Sequence, residues 1–591
     1  MIISLFLATL RLAAPFSELA EMHWRVCDLS GKVVASDVPS ARLPREGGTC
    51  EMWVRSPKNQ IGGAYVSFAS GCGCPEPKRL QNADWRDQPR WNRHLASVRV
   101  NGTDYFPRED EKGCVLPMTL FEGWNRVELS VPAHDAGCPL QDLKPVFVPI
   151  FGTAESPRPI PGIVCRATPP EMPRIELQPK IDAATAAGGG TVVVPRGEWE
   201  TGPLVLRSNV TLRLEDGARL NATTDIREYD QRLCHRHFIF AENATNVAIV
   251  GRGVLDAQGG GFREQRGLKG QSQPQALVYV MRFSRCRNVR LEDFTYQRGG
   301  AWGCHLRNCD GVTIRNLTCF NHANKTNDGI DIESSNVLVE NCTIDADDDA
   351  IVIKSESDPS FAVTNITVRN CRLASCCYAF KFGTGSWGDF RDVTVEDCVF
   401  FRPQGNYRFK WRDTVPGVRN DVLGSSGFGV DIVDGGRLEN FTLRNVVQEE
   451  GYHTHSFIRL GGRNTDPDGK ASFLRKVLVE NYRGRAEGVV AASITGIPGR
   501  RVQDVVFRNL DFRLAGGCTA EEAAGPVPES IGRYPGVFMF DAKPLPAYGF
   551  YVRHADGVRF ENCRFDLDRP DARERYVADD AAISDAGAQR R

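Results

Sequence analysis

Two short stretches of the chain place aspartate at the head of nearly identical apolar patterns. When Asp349-Ala-Ile-Val-Ile-Lys-Ser355 is laid over Asp328-Gly-Ile-Asp-Ile-Glu-Ser334, the leading aspartates and the isoleucines coincide. Apolar residues at every second position are typical of β-strands, and neighbouring strands lie about 4.7–4.9 Å apart. We therefore expect the two leading carboxylates to be close. Their pKa values would then separate, and one site could supply both a general acid and a general base.

The same alternation recurs along most of the chain, as a polar residue or glycine followed by apolar residues at every second position. Central copies begin at Asn288, Gly311, Asn336, Asn365 and Asp392, and the intervals between them are similar. A unit this short cannot bury its own apolar face, whereas stacked units form a continuous core. The pattern predicts an all-β fold, a right-handed parallel β-helix. The spacing also fits a leucine-rich repeat, but the leucine signature and the helical half are absent.

The chain divides into a front part without the repeat and a long repetitive part. Residues 21–151 hold aromatic-rich strand patterns and predict a smaller β-sandwich domain before the β-helix, and the proline-rich residues 152–174 predict a linker. The β-helix is expected over 175–570, followed by a polar tail over 571–591. Residues 1–20 have the apolar centre of a secretory signal but no basic residues before it, so a secreted or periplasmic location is an expectation.

Composition limits the classes of partner. With 73 Lys+Arg against 74 Asp+Glu, the formal charge of -1 does not indicate binding to nucleic acid or to an anionic membrane. No run of about 18 apolar residues exists, so no membrane-spanning helix is predicted. The oligomeric state is left open. Four cysteines, Cys342, Cys371, Cys398 and Cys563, follow Asn or Asp at the same point of the repeat. They predict a stack of small buried side chains, because free cysteine behaves as a small hydrophobe.

Several motifs carry a family resemblance. The segment Gly188–Gly197, the segment Gly251–Asp256, Asn327-Asp328-Gly329 and Asp347-Asp348-Asp349 resemble motifs of glycoside hydrolase family 28, the polygalacturonases and their relatives. Trp302 and His305 fall where that family has a Trp-x-x-His segment, and Ile494–Gly499 is similar to later coils of its bacterial branch. The fold that this resemblance implies is the pectin-lyase-like parallel β-helix. The resemblance covers about residues 175–570.

This resemblance implies a parallel β-helix that hydrolyses glycosidic bonds of a pectin-type, uronate-containing polysaccharide or oligosaccharide with inversion. Carried over by motif, Asp348 is the expected general acid, and Asp328 with Asp349 is expected to position and deprotonate the attacking water. Inversion requires an acid and a base about 6.5–9.5 Å apart, which leaves room for that water. No cofactor and no metal are expected.

The sequence departs from the family pattern at two places. Tyr378 stands where the family has a histidine, and Lys381 where it has a serine. Asp431-Ile-Val433 replaces an Arg-x-Lys motif, although Arg408-Phe-Lys410 lies earlier in the chain. The candidate substrate-binding residues are therefore Tyr378, Lys381, His305, Arg408 and Lys410. By strand parity Lys381 should face outward and could bind a uronate carboxylate. The alternative is a surface ion pair with Asp331 or Glu333.

Three other interpretations remain open at this stage. Asp345, Asp347, Asp349 and Glu356 match several ligand positions of a calcium-binding EF-hand loop, but Ala350 replaces the turn glycine and the flanking patterns are strands. A polysaccharide lyase could use acidic calcium ligands on the same fold. A catalytically degenerate carbohydrate-binding β-helix would explain the missing histidine, whereas the three intact aspartates argue against it.

Overall fold

The computed structural model divides the chain into two compact units, Met1–Met172 and Pro173–Arg591. The residues that the structure describes are 24–28, 32–38, 48–57, 60–67, 97–100, 103–105, 115–131, 146–151, 158–159, 164–167, 170–230, 235–262, 277–323, 326–403, 422, 424–464, 471–541 and 543–587.

The first unit contains two antiparallel sheets. Their strands are β1 Trp24–Asp28, β2 Val33–Val38, β3 Gly48–Ser56, β4 Gln60–Ser67, β5 Ser97–Val100, β6 Thr103–Tyr105, β7 Val115–Leu120, β8 Gly123–Val131, β9 Val146–Phe151, β10 Arg158–Pro159 and β11 Val164–Arg166. One sheet has the order β2-β1-β3-β8-β5-β6, with β11 also paired to β3, and the other has the order β10-β9-β4-β7. The packing of these sheets as a sandwich stays a prediction.

The expected linker needs a correction. Strands β10 and β11 lie inside residues 152–174, where they pair with β9 and β3 of the first unit. Proline is tolerated there because the short β10 lies at the edge of its sheet, where one side of the backbone makes no ladder hydrogen bonds. This part of the proline-rich stretch therefore belongs to the first unit.

The second unit is a parallel β-helix, as the repeat predicts. It opens with α1 Gln178–Ala186 and includes two short 3-10 helices, Ile226–Glu228 and Gly259–Phe262. Its strands stack coil on coil into three parallel sheets, which we call sheets A, B and C.

Sheet A contains β12 Gly190–Val194, β15 Val210–Leu214, β18 Thr245–Val250, β21 Arg287–Glu292, β28 Val363–Arg369 and β31 Asp389–Glu396. Sheet B contains β13 Gly197–Thr201, β16 Ala218–Ala222, β19 Val254–Asp256, β22 Thr295–Gln297, β24 Thr318–Asn321, β26 Thr343–Ala346, β29 Arg372–Ser375, β32 Val399–Phe400 and β40 Arg564–Arg569. Sheet C contains β14 Leu204–Leu206, β17 His235–Glu242, β20 Leu277–Ser284, β27 Ile351–Ser355, β30 Tyr378–Ser386, β33 Gly424–Ile432, β35 Tyr452–Leu460 and β37 Ala492–Thr495.

Some strands are long enough to bend around a corner and serve two sheets. Those shared by sheets C and A are β23 Cys304–Arg315, β25 Ile330–Glu340, β39 Ala547–Glu561 and β41 Glu574–Ala586. Those shared by sheets A and B are β34 Arg437–Gln448, β36 Phe473–Ala486 and β38 Val502–Gly516.

Asparagines form the corners of the coils. Asn209, Asn246 and Asn288 all adopt positive φ, a conformation that asparagine tolerates better than most residues. Their side chains stack, since the amide of Asn246 donates to Asn209 at 2.8 Å and the amide of Asn288 donates to Asn246 at 2.7 Å. The polar residue at the head of each repeat is therefore the corner that aligns successive coils.

The core runs through the centre of the coils. Along the strands of sheet C, alternate side chains face this core. Ile332, Ile353 and Phe382, on three successive coils, are fully buried there. The four repeat cysteines also join this core and are free thiols, which confirms the predicted stack of small buried side chains.

The expected polar tail over 571–591 is wrong for most of its length. Strand β41 pairs in parallel with β39 as a further coil. Tyr576 and Ile583 pack against the core, and these few apolar positions secure a strand that is otherwise polar. Within the described residues, no helix has the length and apolar character needed to cross a bilayer.

Candidate active site

The structure pairs the two aspartate patterns in the same register that superimposes them in the sequence. Ile330 pairs with Ile351 and Ile332 with Ile353 in sheet C. The N–H of Gly329 donates to the carbonyl of Asp349 at 2.8 Å, so the turns that precede the two strands are also in contact. A Cβ at Gly329 would lie 2.4 Å from the carbonyl oxygen of Ala350, which explains why glycine follows Asp328.

Two buried lysines, Lys354 and Lys381, form ion pairs with the carboxylates of the site. The Nζ of Lys354 lies 3.1 Å from Asp328 Oδ2 and 2.6 Å from Asp331 Oδ1. The Nζ of Lys381 lies 3.0 Å from Asp349 Oδ2 and 3.9 Å from Asp431 Oδ2. Although burial opposes the shift, these carboxylates raise the pKa of both lysines well above the usual range. Both ammonium groups are therefore fixed charges.

Asp348 differs from Asp328 and Asp349 because it has no lysine partner among the described residues. It is partly exposed, and its side chain accepts a hydrogen bond from the N–H of Asp349 at 3.1 Å. Burial, together with the charges of Asp328 and Asp349, raises the pKa of Asp348 well above its usual range. Burial also raises the pKa of Asp349, but there Lys381 opposes the shift. The arrangement favours a proton on Asp348, whereas the ammonium of Lys381 favours negative charge on Asp349.

The turn that carries Asp348 is held from both sides. On one side His322 bonds through Nδ1 to Asp347 at 2.6 Å and through Nε2 to Asp345 at 3.0 Å. On the other side Lys381 holds Asp349. This geometry does not support the EF-hand interpretation, because Asp345 and Asp347 are both bonded to His322 and Asp349 is bonded to Lys381, so these side chains are not directed to one ion.

One group of possible metal ligands lies in the site. Oxygens of Asp348 and Asp349 and the sulfur of Cys377 lie within 4.8 Å of one another. Burial raises the pKa of the Cys377 thiol well above its usual range, so the sulfur stays protonated, and the thiolate is the form that binds metals. With Lys381 already paired to Asp349, this group is poorly suited to a cation.

The expected alternative for Lys381, an ion pair with Asp331 or Glu333, is wrong. Lys381 pairs in register with Val352, which in turn pairs with Asp331, so two coil spacings separate Lys381 from Asp331. The lysine one coil closer, Lys354, takes Asp331, while Glu333 bonds to His305. Lys381 is 4% exposed, and its role toward substrate stays a prediction.

His305 lies on the same face of sheet C but beneath other side chains. Its Nε2 is 2.8 Å from Glu333 Oε1, and its ring contacts those of Trp302 and Tyr279 at centroid distances of 5.0 and 5.9 Å. Burial lowers the pKa of His305 to about 4, so the imidazole is neutral. His305 thus fixes Glu333 and the aromatic rings around it, and any direct contact with substrate remains a prediction.

Tyr378 also lies on the outer face of sheet C and is buried. Its ring covers Gly429, where a Cβ would come within 2.7 Å of the ring, and Lys381 Nζ is 5.0 Å from the ring centroid. The two remaining candidates, Arg408 and Lys410, lie outside the described residues.

Sequence reasoning missed several members of the site. Lys354 shares the outward parity of Lys381, and that signal could have identified it. Asp431 is fully buried beside Lys381, and burial raises its pKa to about 7. Two arginines on the outer face, Arg282 and Arg307, have no acidic partner within ion-pair distance among the described residues. Nothing in the local sequence separates these two from ordinary surface arginines.

Comparison with known proteins agrees with this geometry. The model for glycosyl hydrolases family 28 matches residues 185–422, which include all three aspartates. A probable polygalacturonase of Vitis vinifera is 26% identical over 353 residues, which are 56% of this chain and 68% of that protein. An endo-polygalacturonase of Pectobacterium carotovorum subsp. carotovorum is 23% identical over 271 residues, which are 42% of this chain and 63% of that protein.

A solved structure, a hyperthermoactive exopolygalacturonase from Thermotoga maritima, aligns with 66% of this chain and 87% of its own, at 19% identity and a TM-score of 0.49. That likeness adds no argument to the sequence matches. The register of sheet C, the three carboxylates and the matched segment together identify the chain as a glycoside hydrolase that is similar to glycosyl hydrolases family 28 over residues 185–422.

Proposed function

We propose that this enzyme hydrolyses glycosidic bonds of a pectin-type, uronate-containing polysaccharide or oligosaccharide with inversion at the anomeric carbon. In this proposal Asp348 is the general acid, and Asp328 and Asp349 hold and deprotonate the attacking water. The protein would work where such glycans are found, as a secreted or periplasmic enzyme.

The observation that carries the proposal is the unequal pairing of the three carboxylates. Asp328 and Asp349 are each bonded to a buried lysine, and the ammonium of Lys381 opposes the rise that burial causes in the pKa of Asp349. Asp348 lies beside both carboxylates and has no lysine partner among the described residues, which favours the protonated form that an acid requires. Carboxyl groups with separated pKa values can supply an acid and a base. Oxygens of Asp348 and Asp349 lie within 4.8 Å of one another, closer than the separation of about 6.5–9.5 Å that is typical of inverting enzymes, so the proposed inversion rests on the similarity to family 28 and not on this distance.

The outer face of sheet C supports an acidic substrate. Arg282 and Arg307 each place a guanidinium there, on coils that precede the aspartates, and burial together with the charge of Arg307 lowers the pKa of Arg282. Two neighbouring cations without acidic partners among the described residues would gain from a carboxylate, and arginine binds carboxylates in a bidentate manner. Trp302 is partly exposed next to Lys354 and offers a ring on which a sugar could stack. Arg408 and Lys410 remain predicted contacts of the same kind.

The test is an assay for new reducing ends on polygalacturonate, on its methyl-esterified form and on a neutral glycan. We expect turnover of the acidic polymer and its loss in Asp348→Asn. Lack of reducing ends from any uronate-containing glycan would contradict the proposal, as would equal activity on the neutral polymer.

A matched pair of arginine variants tests the substrate class. Arg282→Gln should raise KM for the acidic polymer by about 10-fold or more, since a charge-assisted hydrogen bond contributes about 1.5–3 kcal/mol. Arg290→Gln makes the same charge change on sheet A, where the side chain is 53% exposed, and should leave KM unchanged. Equal effects of the two variants would argue against Arg282 as a substrate contact.

A further inference from the structure

The longest connection between the last coils lies against the outer face of sheet C. Residues 517–546, which we call the cover segment, join β38 to β39 and contain no strand. All but residue 542 are described.

The cover segment buries the outer face of sheet C beyond Lys381. In register, Lys381 is followed on successive coils by Gly429, Phe457, Ser493 and Tyr551. Phe457 and Tyr551 are each 1% exposed and form one apolar cluster with four residues of the cover segment, Val537, Met539, Phe540 and Leu545. On the other side of the aspartates the outer face is more open, since Trp302, Arg282 and Arg307 are partly exposed.

Polar contacts fix the cover segment in this position. Arg459, which projects from β35, donates to the carbonyl oxygens of Glu529 and Ser530 at 2.8 and 3.2 Å. The N–H of Gly462 donates to the carbonyl of Ile531 at 3.1 Å. Three consecutive carbonyl groups of the cover segment, those of Glu529, Ser530 and Ile531, thus accept hydrogen bonds from β35 and from the residues that follow it. The segment is therefore a fixed wall of the site.

Tyr534 is the part of this wall nearest to the carboxylates. Its hydroxyl is 3.0 Å from Thr384 Oγ1, and the charges of Lys381, Asp348 and Asp349 all act on its pKa. Tyr534 is nevertheless 64% exposed, and the Arg463 guanidinium lies 5.5 Å from its ring centroid. A large aromatic side chain that is exposed beside catalytic groups is suited to contact with a sugar ring.

We propose that the cover segment closes the groove just past the catalytic carboxylates, so that the enzyme acts at a chain end and Tyr534 contacts the terminal part of the substrate. This inference rests on the proposed function and deepens it. A polymer passing through an open groove could be cut anywhere along its length. A groove that is covered on one side of the carboxylates admits a short terminal portion there, and the rest of the chain must lie on the side of Trp302.

The first experiment follows the products of polygalacturonate digestion by the wild-type enzyme. We expect one short product length from the earliest time points and a slow fall in viscosity for each reducing end formed. A ladder of mixed lengths with a rapid fall in viscosity would overturn the inference while leaving the proposed hydrolysis intact. A lack of new reducing ends would instead count against the proposed hydrolysis.

The second experiment does not depend on turnover. Binding of oligogalacturonates to the Asp348→Asn variant is measured with a bulky fluorescent tag on the reducing end or, in a separate preparation, on the non-reducing end. A closed groove predicts that one of the two tags weakens binding by at least 10-fold while the other is tolerated. Equal binding of both tagged forms and of the untagged chain would refute closure.

The third experiment assigns the role of Tyr534. Tyr534→Ala should raise KM by roughly 3- to 10-fold and broaden the product lengths, because it removes an aromatic contact. Tyr534→Phe keeps the ring, loses only the hydrogen bond to Thr384, and should retain the product pattern. If the alanine variant keeps both KM and the product pattern of the wild type, Tyr534 is not part of the substrate contact.

Discussion

Replacing Lys381 by methionine should move the acidic limb of the pH–rate profile toward higher pH. Lys381 Nζ lies 3.0 Å from Asp349 Oδ2, and both side chains are almost fully buried. Burial already raises the pKa of Asp349, with Lys381 opposing it, so loss of the ammonium must raise that pKa further. If Asp349 acts as a base, the variant then requires a higher pH to become active.

The size of the shift follows from the strength of the contact. A hydrogen bond to a charged group contributes about 1.5–3 kcal/mol, and one pKa unit corresponds to about 1.4 kcal/mol. The acidic limb of kcat/KM should therefore rise by about 1–2 pH units. At a pH below the acidic limbs of both proteins, kcat/KM of the variant should be about 10- to 100-fold lower than that of the wild type. At a pH well above the limb of the variant, most of this loss should disappear.

The assay is kcat/KM between pH 4 and pH 8, on polygalacturonate and on its methyl ester. Lys381→Arg keeps the charge and should restore most of the wild-type profile. Lys476→Met, which removes an exposed ammonium on β36, serves as the matched control. Binding of a substrate carboxylate by Lys381 would instead produce a loss on the charged polymer and little on the ester, with the limb in place. That outcome would refute the role assigned here to the Lys381–Asp349 pair.

Three further predictions concern the proposed general acid Asp348, independence from metal ions, and the contacts of His322 with Asp345 and Asp347. Asp348→Asn should reduce kcat by about 10²–10⁴-fold without changing substrate binding, because it removes a proton donor and preserves shape; retention of more than a tenth of the rate would exclude Asp348 as the acid. Treatment with EDTA should leave the rate unchanged and yield no ultraviolet-absorbing unsaturated uronate, and detection of that product would indicate a lyase. His322→Asn should flatten the decline in thermal stability above neutral pH. Although burial opposes it, Asp347 and Asp345 raise the pKa of His322 to about 10, from about 6.5 when unfolded. That contribution is complete below pH 6.5 and is lost as pH rises through 10, by up to about 1.4 kcal/mol per unit. Equal slopes for variant and wild type between pH 7 and pH 9 would contradict it.

The parts of the fold that follow from local periodicity were accessible from the sequence. The pairing of Ile330 with Ile351 is the same offset that superimposes the two aspartate patterns. Strand β41 was missed because its apolar residues are sparse, and a strand that extends an existing stack needs few of them. Part of the linker was misassigned because proline content says little about pairing at a sheet edge.

Less of the candidate site than of the fold could be predicted from the sequence. The three aspartates stand in recognisable motifs. Their lysine partners lie on other coils, and the sequence does not show which ammonium group pairs with which carboxylate. The outward parity of Lys381 was correct, and the alternative ion pair with Asp331 or Glu333 was wrong because adjacent coils compete for the same acids. Tyr534 reaches Thr384 from a distant part of the sequence. The repeat patterns that begin at Asp504-Val-Val-Phe and at Gly557-Val-Arg-Phe are much farther apart than the central repeats, which indicates an insertion, but the sequence does not tell which sheet the insertion covers.

The three consecutive aspartates of the catalytic turn are chemically identical in sequence and mechanically distinct in the structure. Asp347 is tied to His322, Asp349 is tied to Lys381, and Asp348 between them has no such tie among the described residues. The partners of the two outer residues hold the turn in place, so the surroundings of Asp348 are set before any sugar binds. If Asp348 is the proton donor, as proposed, reorganisation that would otherwise accompany proton transfer is completed during folding.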